Sequence, residues 1–391
     1  MDKQWRFGLV GCSRGSSYGH LVYHHPQCEI AAICDSNPET LARHQREVEL
    51  PDERCFLSYA DMIAVEPKLD AVIVGTPIPV HADQVVMALD AGINVMSEVT
   101  ASNTVDGCRR IVEAAKRSKA IYMIAENEIF RPCFAEWEKL VRTGKLGDIF
   151  YAEADYLHPI HDLLINRRTG EKHWRASRPP IQYCSHSLGP ILYLTGDRIV
   201  RAMAVGQGHR IIPEAGVGGI DVQLAVFVTE RDMIIKMTRT QAAPRHVPIH
   251  YHHLQGTKGF VETDRRGRWG VEQIVQGGIL YLEDEMEHAQ MVEWPELDTS
   301  APDWATLGGH GTSDYNTFMQ FLNALDSGRK PIMDETFAWD LTVPGLVASH
   351  SAEKEGEWMD VPPPPVDGPR WAQTRELTLS AGRASPPERL R

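Results

Sequence analysis

The chain has 391 residues, a formal net charge of −13, and 42% hydrophobic and 24% charged residues. This length exceeds what one ordinary hydrophobic core holds, so we expect two domains. The acidic balance and the lack of a basic cluster exclude a nucleic acid as the partner. A single dinucleotide stays possible, because backbone N–H groups at a helix N-terminus can bind it.

The start of the chain, MDKQWRFGLVGC, shows no secretory signal, and no apolar run is long enough to span a membrane. The seven cysteines are scattered and include no Cys-x-x-Cys pair. An odd number with this spacing favours a reduced, cytoplasmic protein with neither a disulfide framework nor a structural zinc.

Short apolar strands alternate with amphipathic helices in the first third of the chain. The pattern predicts strands at residues 7–10, 29–34, 71–74, 94–96 and 121–125, and helices at 81–91 and 104–118. Such alternation indicates βαβ units, so we expect an α/β domain with a parallel, doubly wound sheet over residues 1–126.

The pattern changes after residue 126. A helix is predicted at 134–142, followed by strand-like runs at 149–156, 200–205, 222–228, 233–238, 259–262 and 278–282, with further helices at 314–324 and 336–353. Because the later strands have no helices between them, residues 127–361 should form an α+β domain with a large, mostly antiparallel open sheet. The Pro-rich tail, 362–391, is expected to run over the surface or to be partly disordered.

A glycine-containing loop follows the first predicted strand and opens a helix. Compared with the G-x-G-x-x-G pattern, Ser13 and Ser16 replace the second and third glycines. Such a loop lets the backbone approach a pyrophosphate, and Asp35 at the end of the second strand can bind ribose hydroxyls and repel a 2′-phosphate. The Asp35 carboxylate therefore favours NAD over NADP. The alternative to a dinucleotide site is an ordinary strand–turn–helix corner. The predicted contacts here are Gly11, Cys12, Ser13, Arg14, Gly15 and Asp35.

The string DAVIVGTPIPVHADQVVMALDAGINVMSEVTAS, which begins at Asp70, resembles the Gfo/Idh/MocA family of sugar and inositol oxidoreductases. The likeness continues through GKLGDIFYAEADY and reaches about residue 360. The resemblance implies a Rossmann domain that binds NAD, a carbohydrate substrate and, by analogy, a homo-oligomer. It also implies cofactor contacts from Thr76, Pro77, His81, Glu98, Val99 and Asn127.

Two departures from the family's dehydrogenases concern proton transfer. Those enzymes have Glu-Lys-Pro where this chain has Glu98-Val99-Thr100, and an Asp where Gln182 stands four residues before His186. The family lysine helps to take the proton from the reacting hydroxyl, and Val99 cannot do so.

The same departures occur in the NAD-dependent α-N-acetylgalactosaminidase branch of redox glycosidases, which this chain resembles further. The likeness lies in Glu126-Asn127, in the Tyr156-Leu157-His158 strand end, in the block Tyr183 to Pro190, and in the glycine-flanked His310. It implies that Glu126, Tyr156, Tyr183 and His186 occupy the catalytic positions. Cys184 and Ser185 replace Pro and Thr of the branch, so the sugar need not be the same.

In that branch, bound NAD⁺ oxidises C3 of the sugar transiently, which acidifies the C2 proton and allows the C1 substituent to leave. The protein must supply proton acceptors and a proton donor. Tyr183 and His186 would share one face if both were helical, and His titrates near neutral pH. Tyr156 and His158 alternate along a strand and can both face a substrate. The alternative for Tyr183 and His186 is a core pair bonded to backbone.

Other side chains are candidates for substrate contact: His158, His310, Trp174 and Arg175, with Arg167, Arg168 and Arg178 as possible partners of a carboxylate-bearing substrate. A solvated basic loop is the alternative for the arginines. The cluster of His250, His252 and His253 predicts no metal site, because the third ring should point away and no carboxylate lies beside them.

Three functions compete. The first is redox-neutral cleavage or elimination of a glycoside with retained NAD. The second is an ordinary NAD(P)-dependent sugar or cyclitol dehydrogenase that uses His186 as its base. The third is a non-catalytic sensor that binds a dinucleotide. The number of Tyr, His and Glu side chains at the matched positions makes the sensor the weakest of the three.

Overall fold

A computed structural model describes residues 4–65, 67–244, 249–265, 275–366 and 371–374 of the chain. Its contacts divide the chain into two compact units, each assembled from separate stretches. The first unit comprises Met1–Arg131, Leu297–Val343 and Pro364–Trp371, and the second comprises Pro132–Glu296, Pro344–Pro363 and Ala372–Arg391.

The first unit contains a six-stranded sheet in the order β3-β2-β1-β4-β5-β6, and every pair of neighbouring strands is parallel. This is the strand order of a doubly wound dinucleotide-binding fold, so the predicted α/β domain is confirmed. The strands are β1 (Trp5–Val10), β2 (Cys28–Cys34), β3 (Cys55–Phe56), β4 (Ala71–Val74), β5 (Asn94–Ser97) and β6 (Tyr122–Ile124).

Helices alternate with these strands and begin at recognisable caps. The Asn37 side chain accepts hydrogen bonds from two backbone N–H groups at the start of α2, and Thr104 accepts one at the start of α5. Every residue of β4 is buried, as expected for a strand covered on both faces. The helices are α1 (Gly15–His24), α2 (Pro38–Val48), α3 (Tyr59–Ile63), α4 (His81–Asp90) and α5 (Val105–Arg117).

The second unit contains a nine-stranded sheet in the order β14-β13-β12-β11-β7-β10-β9-β8-β15. Among the described strands only β7 and β10 pair in parallel, which confirms the mostly antiparallel sheet. Its elements are α6 (Pro132–Arg142), β7 (Ile149–Leu157), α7 (His161–Leu164), α8 (Ser185–Thr195), β8 (Ile199–Gln207), β9 (Val222–Thr229), β10 (Ile234–Thr240), β11 (His250–Gly256), β12 (Gly259–Thr263), β13 (Val275–Leu282), β14 (Gln290–Pro295) and β15 (Met359–Asp360).

The C-terminal part adds three helices, α9 (Ser313–Ser327), α10 (Glu335–Glu353) and α11 (Trp371–Thr374). The expectation that the whole tail runs over the surface is wrong at Trp371, which is only 1% exposed. Its ring packs on Phe337, and its indole N–H donates to Asp340 at 3.0 Å. A large aromatic side chain with a bonded N–H is stable in a core. In the described part of the chain, none of the helices has the length and apolar character needed to cross a bilayer.

Candidate active site

The loop between β1 and α1 packs backbone against backbone. Gly11 has φ of 81°, and a Cβ atom there would lie 2.7 Å from the carbonyl oxygen of Gly75. A Cβ on Gly75 would in turn lie 2.7 Å from the amide nitrogen of Gly15. The cradle therefore requires glycine, and it leads into the N-terminus of α1, where the helix dipole favours an anion. This arrangement fits the phosphates of a dinucleotide.

Asp35 follows β2 and is fixed by two backbone groups. Its Oδ2 accepts the N–H of Cys12 at 2.8 Å, and its Oδ1 accepts the N–H of Asn37 at 2.8 Å. The carboxylate is thereby held against the glycine loop, at the position where a ribose hydroxyl is bound in this fold.

Arg14, in the same loop, is bound by two carboxylates. Its Nε lies 2.7 Å from Glu98 Oε1, and its terminal nitrogens lie 3.2 Å from both oxygens of Asp314. Burial acts to lower the pKa of Arg14, but Glu98 and Asp314 outweigh it and raise the pKa. The guanidinium is therefore a permanent cation that ties the loop to the end of β5 and to α9.

Asp314 is the centre of this network, and the sequence analysis did not identify it. Its side chain is fully buried; Oδ1 accepts the Asn127 side-chain N–H at 2.7 Å, and Oδ2 lies 3.0 Å from Nδ1 of His310. Burial would raise its pKa, but the His310 hydrogen bond and the Arg14 charge lower it to about 2. Asp314 thus contacts three predicted site residues, Arg14, Asn127 and His310, and Arg14 links it to a fourth, Glu98.

His81 is held by backbone. It is fully buried, with Nε2 2.7 Å from the carbonyl oxygen of Thr76 and Nδ1 2.9 Å from that of Thr100. It therefore positions the turn at Thr76-Pro77 and the segment that contains Val99, instead of presenting a free nitrogen to a ligand. Val99 is 4% exposed, and the Val99–Thr100 peptide bond is cis.

Glu126 follows β6 at the carboxyl edge of the parallel sheet. It is fully buried, and its Oε1 accepts the N–H of Glu128 at 3.1 Å at the start of a short 3₁₀ helix, Asn127–Phe130. The edge that carries Gly11, Asp35 and Glu98 thus also carries Glu126. Ligands bind at this edge in open α/β sheets.

In the second unit, three side chains form a row across the sheet. Arg239 of β10 and His250 of β11 both pair in register with Tyr156 of β7. Residues directly opposite one another share a sheet face. The Tyr156 ring accordingly lies between the Arg239 guanidinium, 3.9 Å from the ring centroid, and the stacked His250 ring at 4.0 Å.

The side chains of Tyr183 and His186 lie close together, but they do not share one face of a helix. Tyr183 ends a 3₁₀ turn with ψ of 69°, whereas His186 lies in the first turn of α8. The condition that both residues are helical is therefore not met, yet the Tyr183 hydroxyl lies 3.2 Å from His186 Nε2. The preceding turn is anchored because Ile181 donates its N–H to Gln223 Oε1 at 2.9 Å.

A second Tyr–His pair lies beside the first. The Tyr156 hydroxyl is 2.8 Å from Nδ1 of His158. The Tyr156 ring centroid lies 6.2 Å from that of Tyr183 and 5.7 Å from that of His186. We call Tyr156, His158, Tyr183 and His186 the Tyr–His cluster.

The arginines of the predicted basic loop lie in different environments. Arg175 stacks on Trp174 at 4.4 Å, as a sugar-binding pair would allow. Arg167 is exposed and bound to Asp162, so it belongs to a solvated surface. Arg168 is also exposed. Arg178 differs from all of these because it is only 6% exposed.

The three histidines of β11 do not converge. His250 and His252 stack at 6.3 Å on one face, and His252 Nε2 lies 3.2 Å from the carbonyl oxygen of His186. The expectation that no carboxylate lies beside them is wrong, since His253 Nδ1 is 3.1 Å from Glu262 of β12. Among the described residues, no group of three or more His, Cys, Asp or Glu is arranged to hold a metal ion.

The parallel sheet, the glycine cradle and the fixed Asp35 are the features of a dinucleotide-binding domain. Residues 5–126 match the Gfo/Idh/MocA family, described as an oxidoreductase family with an NAD-binding Rossmann fold. This match confirms, for residues 5–126, the resemblance found in the sequence.

Similar proteins extend the likeness beyond residue 126. The chain is 26% identical to a glycosyl hydrolase family 109 protein of Shewanella pealeana, over 91% of this chain and 84% of the relative. It is 24% identical to an alpha-N-acetylgalactosaminidase of Shewanella oneidensis, with the same coverages of 91% and 84%. These relatives bear the names of the branch that the sequence resembles.

Solved structures share the fold. The chain resembles levoglucosan dehydrogenase in complex with NADH and L-sorbose, with a TM-score of 0.77 and 17% identity over 92% of this chain and 100% of that one. An aldose-aldose oxidoreductase from Caulobacter crescentus gives a TM-score of 0.73 and 20% identity over the same shares, 92% and 100%. At these identities the solved structures show a shared fold.

Proposed function

We propose that this protein cleaves or eliminates a glycosidic bond without net oxidation of its substrate, through a transient ketone at C3 of the sugar. The observation that carries the proposal is the presence of two Tyr–His pairs in one cluster, with separations of 3.2 Å and 2.8 Å. Oxidation of an alcohol needs one proton acceptor. Elimination also needs a base for the C2 proton and an acid for the leaving oxygen, so the cluster suits elimination better.

The residues at the two departures add support. Val99 has no titratable group, and Gln182 donates its side-chain N–H to Ser349 at 3.2 Å. Neither can replace the lysine and aspartate of the family's dehydrogenases. Proton transfer therefore falls to Tyr183, His186 and the neighbouring pair.

NAD would be held by the first unit, where residues 1–126 form the proposed nucleotide domain. The Gly11–Gly15 loop suits the pyrophosphate, and the Asp35 carboxylate favours NAD over NADP because it repels a 2′-phosphate. When bound, NAD⁺ would supply the reversible oxidation of the sugar. Glu126 lies at the edge of the sheet where the nicotinamide is expected, and would orient the ring or the substrate.

The substrate is proposed to be a glycoside, since the relatives carry glycosidase names. Residues 127–361 would supply its contacts through His158, Trp174 and Arg175, with His310 as a further contact. We also propose that the protein works in the cytoplasm as a homo-oligomer. Light scattering on the purified protein measures the latter.

The test incubates the purified protein with a panel of nitrophenyl glycosides in heavy water, without added cofactor. We expect release of the nitrophenol, no stoichiometric NADH, and deuterium at C2 of the product, because a C2 proton is exchanged only when C3 is a ketone. Stripping the nucleotide should abolish release, and adding back NAD should restore it.

Three results would reject the proposal. Stoichiometric NADH without bond cleavage would identify an ordinary sugar or cyclitol dehydrogenase. Retained NAD with no turnover of any glycoside or free sugar would identify a sensor. Release of nitrophenol without deuterium at C2 would also exclude the transient ketone.

A further inference from the structure

Two arginines lie buried in the second unit beside the Tyr–His cluster. Arg178 is 6% exposed and Arg239 is 2% exposed. Nε and Nη1 of Arg178 and Nε of Arg239 have no hydrogen-bond partner within the described residues. Among the described residues, Tyr183, Cys184 and two other arginines act on the charge of Arg178, and Tyr156, Tyr183 and Cys184 act on that of Arg239. Buried cations of this kind normally have an acidic partner.

Tyr183 is the ring that both guanidinium groups approach. The Cζ atom of Arg178 lies 4.7 Å from its centroid, and that of Arg239 lies 5.7 Å away. The Cζ atom of Arg178 also lies 5.4 Å from the ring centroid of Trp174, which packs against this guanidinium group. Arg239 is fixed, because its Nη1 donates to the carbonyl oxygens of Tyr156 and Thr240 at 2.9 and 2.7 Å.

The electrostatics of both arginines point to the tyrosines. Burial is the main cause that lowers the pKa of Arg178, to about 9, and Tyr183 is the first influence that opposes it. Burial also lowers the pKa of Arg239, and Tyr156 and Tyr183 oppose it. A negative charge on a tyrosine oxygen is thus the counter-charge that the described surroundings can offer.

We propose that Arg178 and Arg239 hold Tyr183 as a phenolate, and that this phenolate accepts the proton of the sugar hydroxyl that is oxidised. The inference rests on the proposed function and names the proton acceptor for it. In the step, the sugar O–H bond breaks, its proton forms a new O–H bond on Tyr183, and the electron pair stays on the sugar oxygen. The two arginines act through Tyr183 and are positioning residues.

The groups that face Tyr183 support this choice over Tyr156. His186 of α8 can donate its Nε2–H to a phenolate at the observed 3.2 Å. Tyr156 of β7 is approached by Arg239 at 3.9 Å, whereas Arg178 lies over the rings of Trp174 and Tyr183. Tyr183 thus faces two cations and a hydrogen-bond donor, with Cys184 beside it in the chain.

The test records the near-ultraviolet absorbance of tyrosinate at neutral pH, without substrate, for the full-length protein and for Tyr183→Phe. We expect the variant to lose the absorbance of one tyrosinate. It keeps the ring on which the guanidinium groups stack, so its fold should be retained. Tyr151→Phe is the matched control, because burial and Glu153 raise the pKa of Tyr151 to about 12 and it should contribute no tyrosinate.

A second set of variants tests the arginines. Arg239→Lys keeps the charge and should keep most of the tyrosinate, whereas Arg239→Met should move its appearance by about one to three pH units towards alkaline pH. If Arg239→Met does not fold, Arg178→Met provides the same measurement. The pH–rate profile should move in the same direction, which a merely structural role would not cause.

Identical spectra of the native protein and Tyr183→Phe would overturn the inference, as would a tyrosinate that disappears only in Tyr156→Phe. Neither result bears on whether the enzyme is redox-neutral, because no substrate is present. Conversely, a tyrosinate at Tyr183 in a protein that accumulates NADH would uphold the phenolate while rejecting glycoside cleavage.

Discussion

The ring of His186 lies 3.2 Å from the hydroxyl of Tyr183, while its own carbonyl oxygen lies 3.2 Å from Nε2 of His252. His186 is therefore fixed to β11 through its backbone and to the 3₁₀ turn through its side chain. A ring held in this way is positioned for proton transfer without reorganisation.

His186→Ala should lower kcat by about 10²- to 10⁴-fold, the usual contribution of a positioned acid or base. NAD binding, measured by fluorescence titration, should not change, because the proposed nucleotide site lies in the first unit. His253→Ala is the matched control: His253 lies on β11 next to His252, but it is bound to Glu262 on the opposite face of the sheet. Equal losses in both variants would contradict a catalytic role.

The Tyr156–His158 pair should act as one unit. Tyr156→Phe and His158→Ala each remove one partner of the 2.8 Å contact, and each should lower kcat by a similar factor. The double variant should be little worse than either single variant, because residues that work together are not additive. Steady-state kinetics of the four proteins measures the coupling, and simple multiplication of the two losses would show independent roles.

Asp35→Asn should weaken the choice of NAD over NADP. The amide keeps one oxygen that can accept the Cys12 or Asn37 N–H, but it removes the charge that repels a 2′-phosphate. We expect the ratio of the two dissociation constants to move towards NADP by about tenfold, roughly 1.4 kcal/mol. Calorimetric titration with each nucleotide measures it. An unchanged ratio would show that another group reads the ribose.

Local patterns predicted both sheets and the edges that carry the site. The loop Gly11–Gly15, Asp35 and Glu126 follow strands in the sequence, so their placement at one edge follows from a parallel sheet. Helix α2 (Pro38–Val48) was not predicted, since only Leu41 and His44 of its residues are buried and the apolar stripe is too thin to recognise.

Contacts between distant parts of the chain were not predictable from local pattern. Asp314 binds Arg14 across 300 positions, and Arg239 reaches Tyr156 only through the register of β10 on β7. For the contact between Asp314 and Arg14, the local sequence offered one signal, a His four residues before an Asp, as in His310 and Asp314. For Arg239, strand pairing had to be known before its partner could be named.

The Asp314 network makes the first unit sensitive to acid. The pKa of Asp314, about 2, lies below the value of about 4 for an aspartate in an unfolded chain. Folding therefore favours the charged form of this carboxyl group. The stability that this contributes is present above pH of about 4 and is lost as the pH falls towards about 2. Chemical unfolding of the native protein should show this loss over that interval.

Asp314→Asn should lower the free energy of unfolding by about 3 kcal/mol at neutral pH, because it leaves the half-buried Arg14 with one carboxylate in place of two. The variant should also lose the part of the acid dependence that Asp314 provides. Asp326→Asn, on the same helix, is the control. Asp326 accepts one hydrogen bond from Trp5 at 2.8 Å and binds no arginine in the described chain. This substitution should therefore lower the free energy of unfolding by only about 1 kcal/mol. Urea unfolding of both variants at neutral and acidic pH measures these changes in the free energy of unfolding. Equal losses in the two variants, with an unchanged dependence on acid, would show that Asp314 is not the charge that stabilises this network.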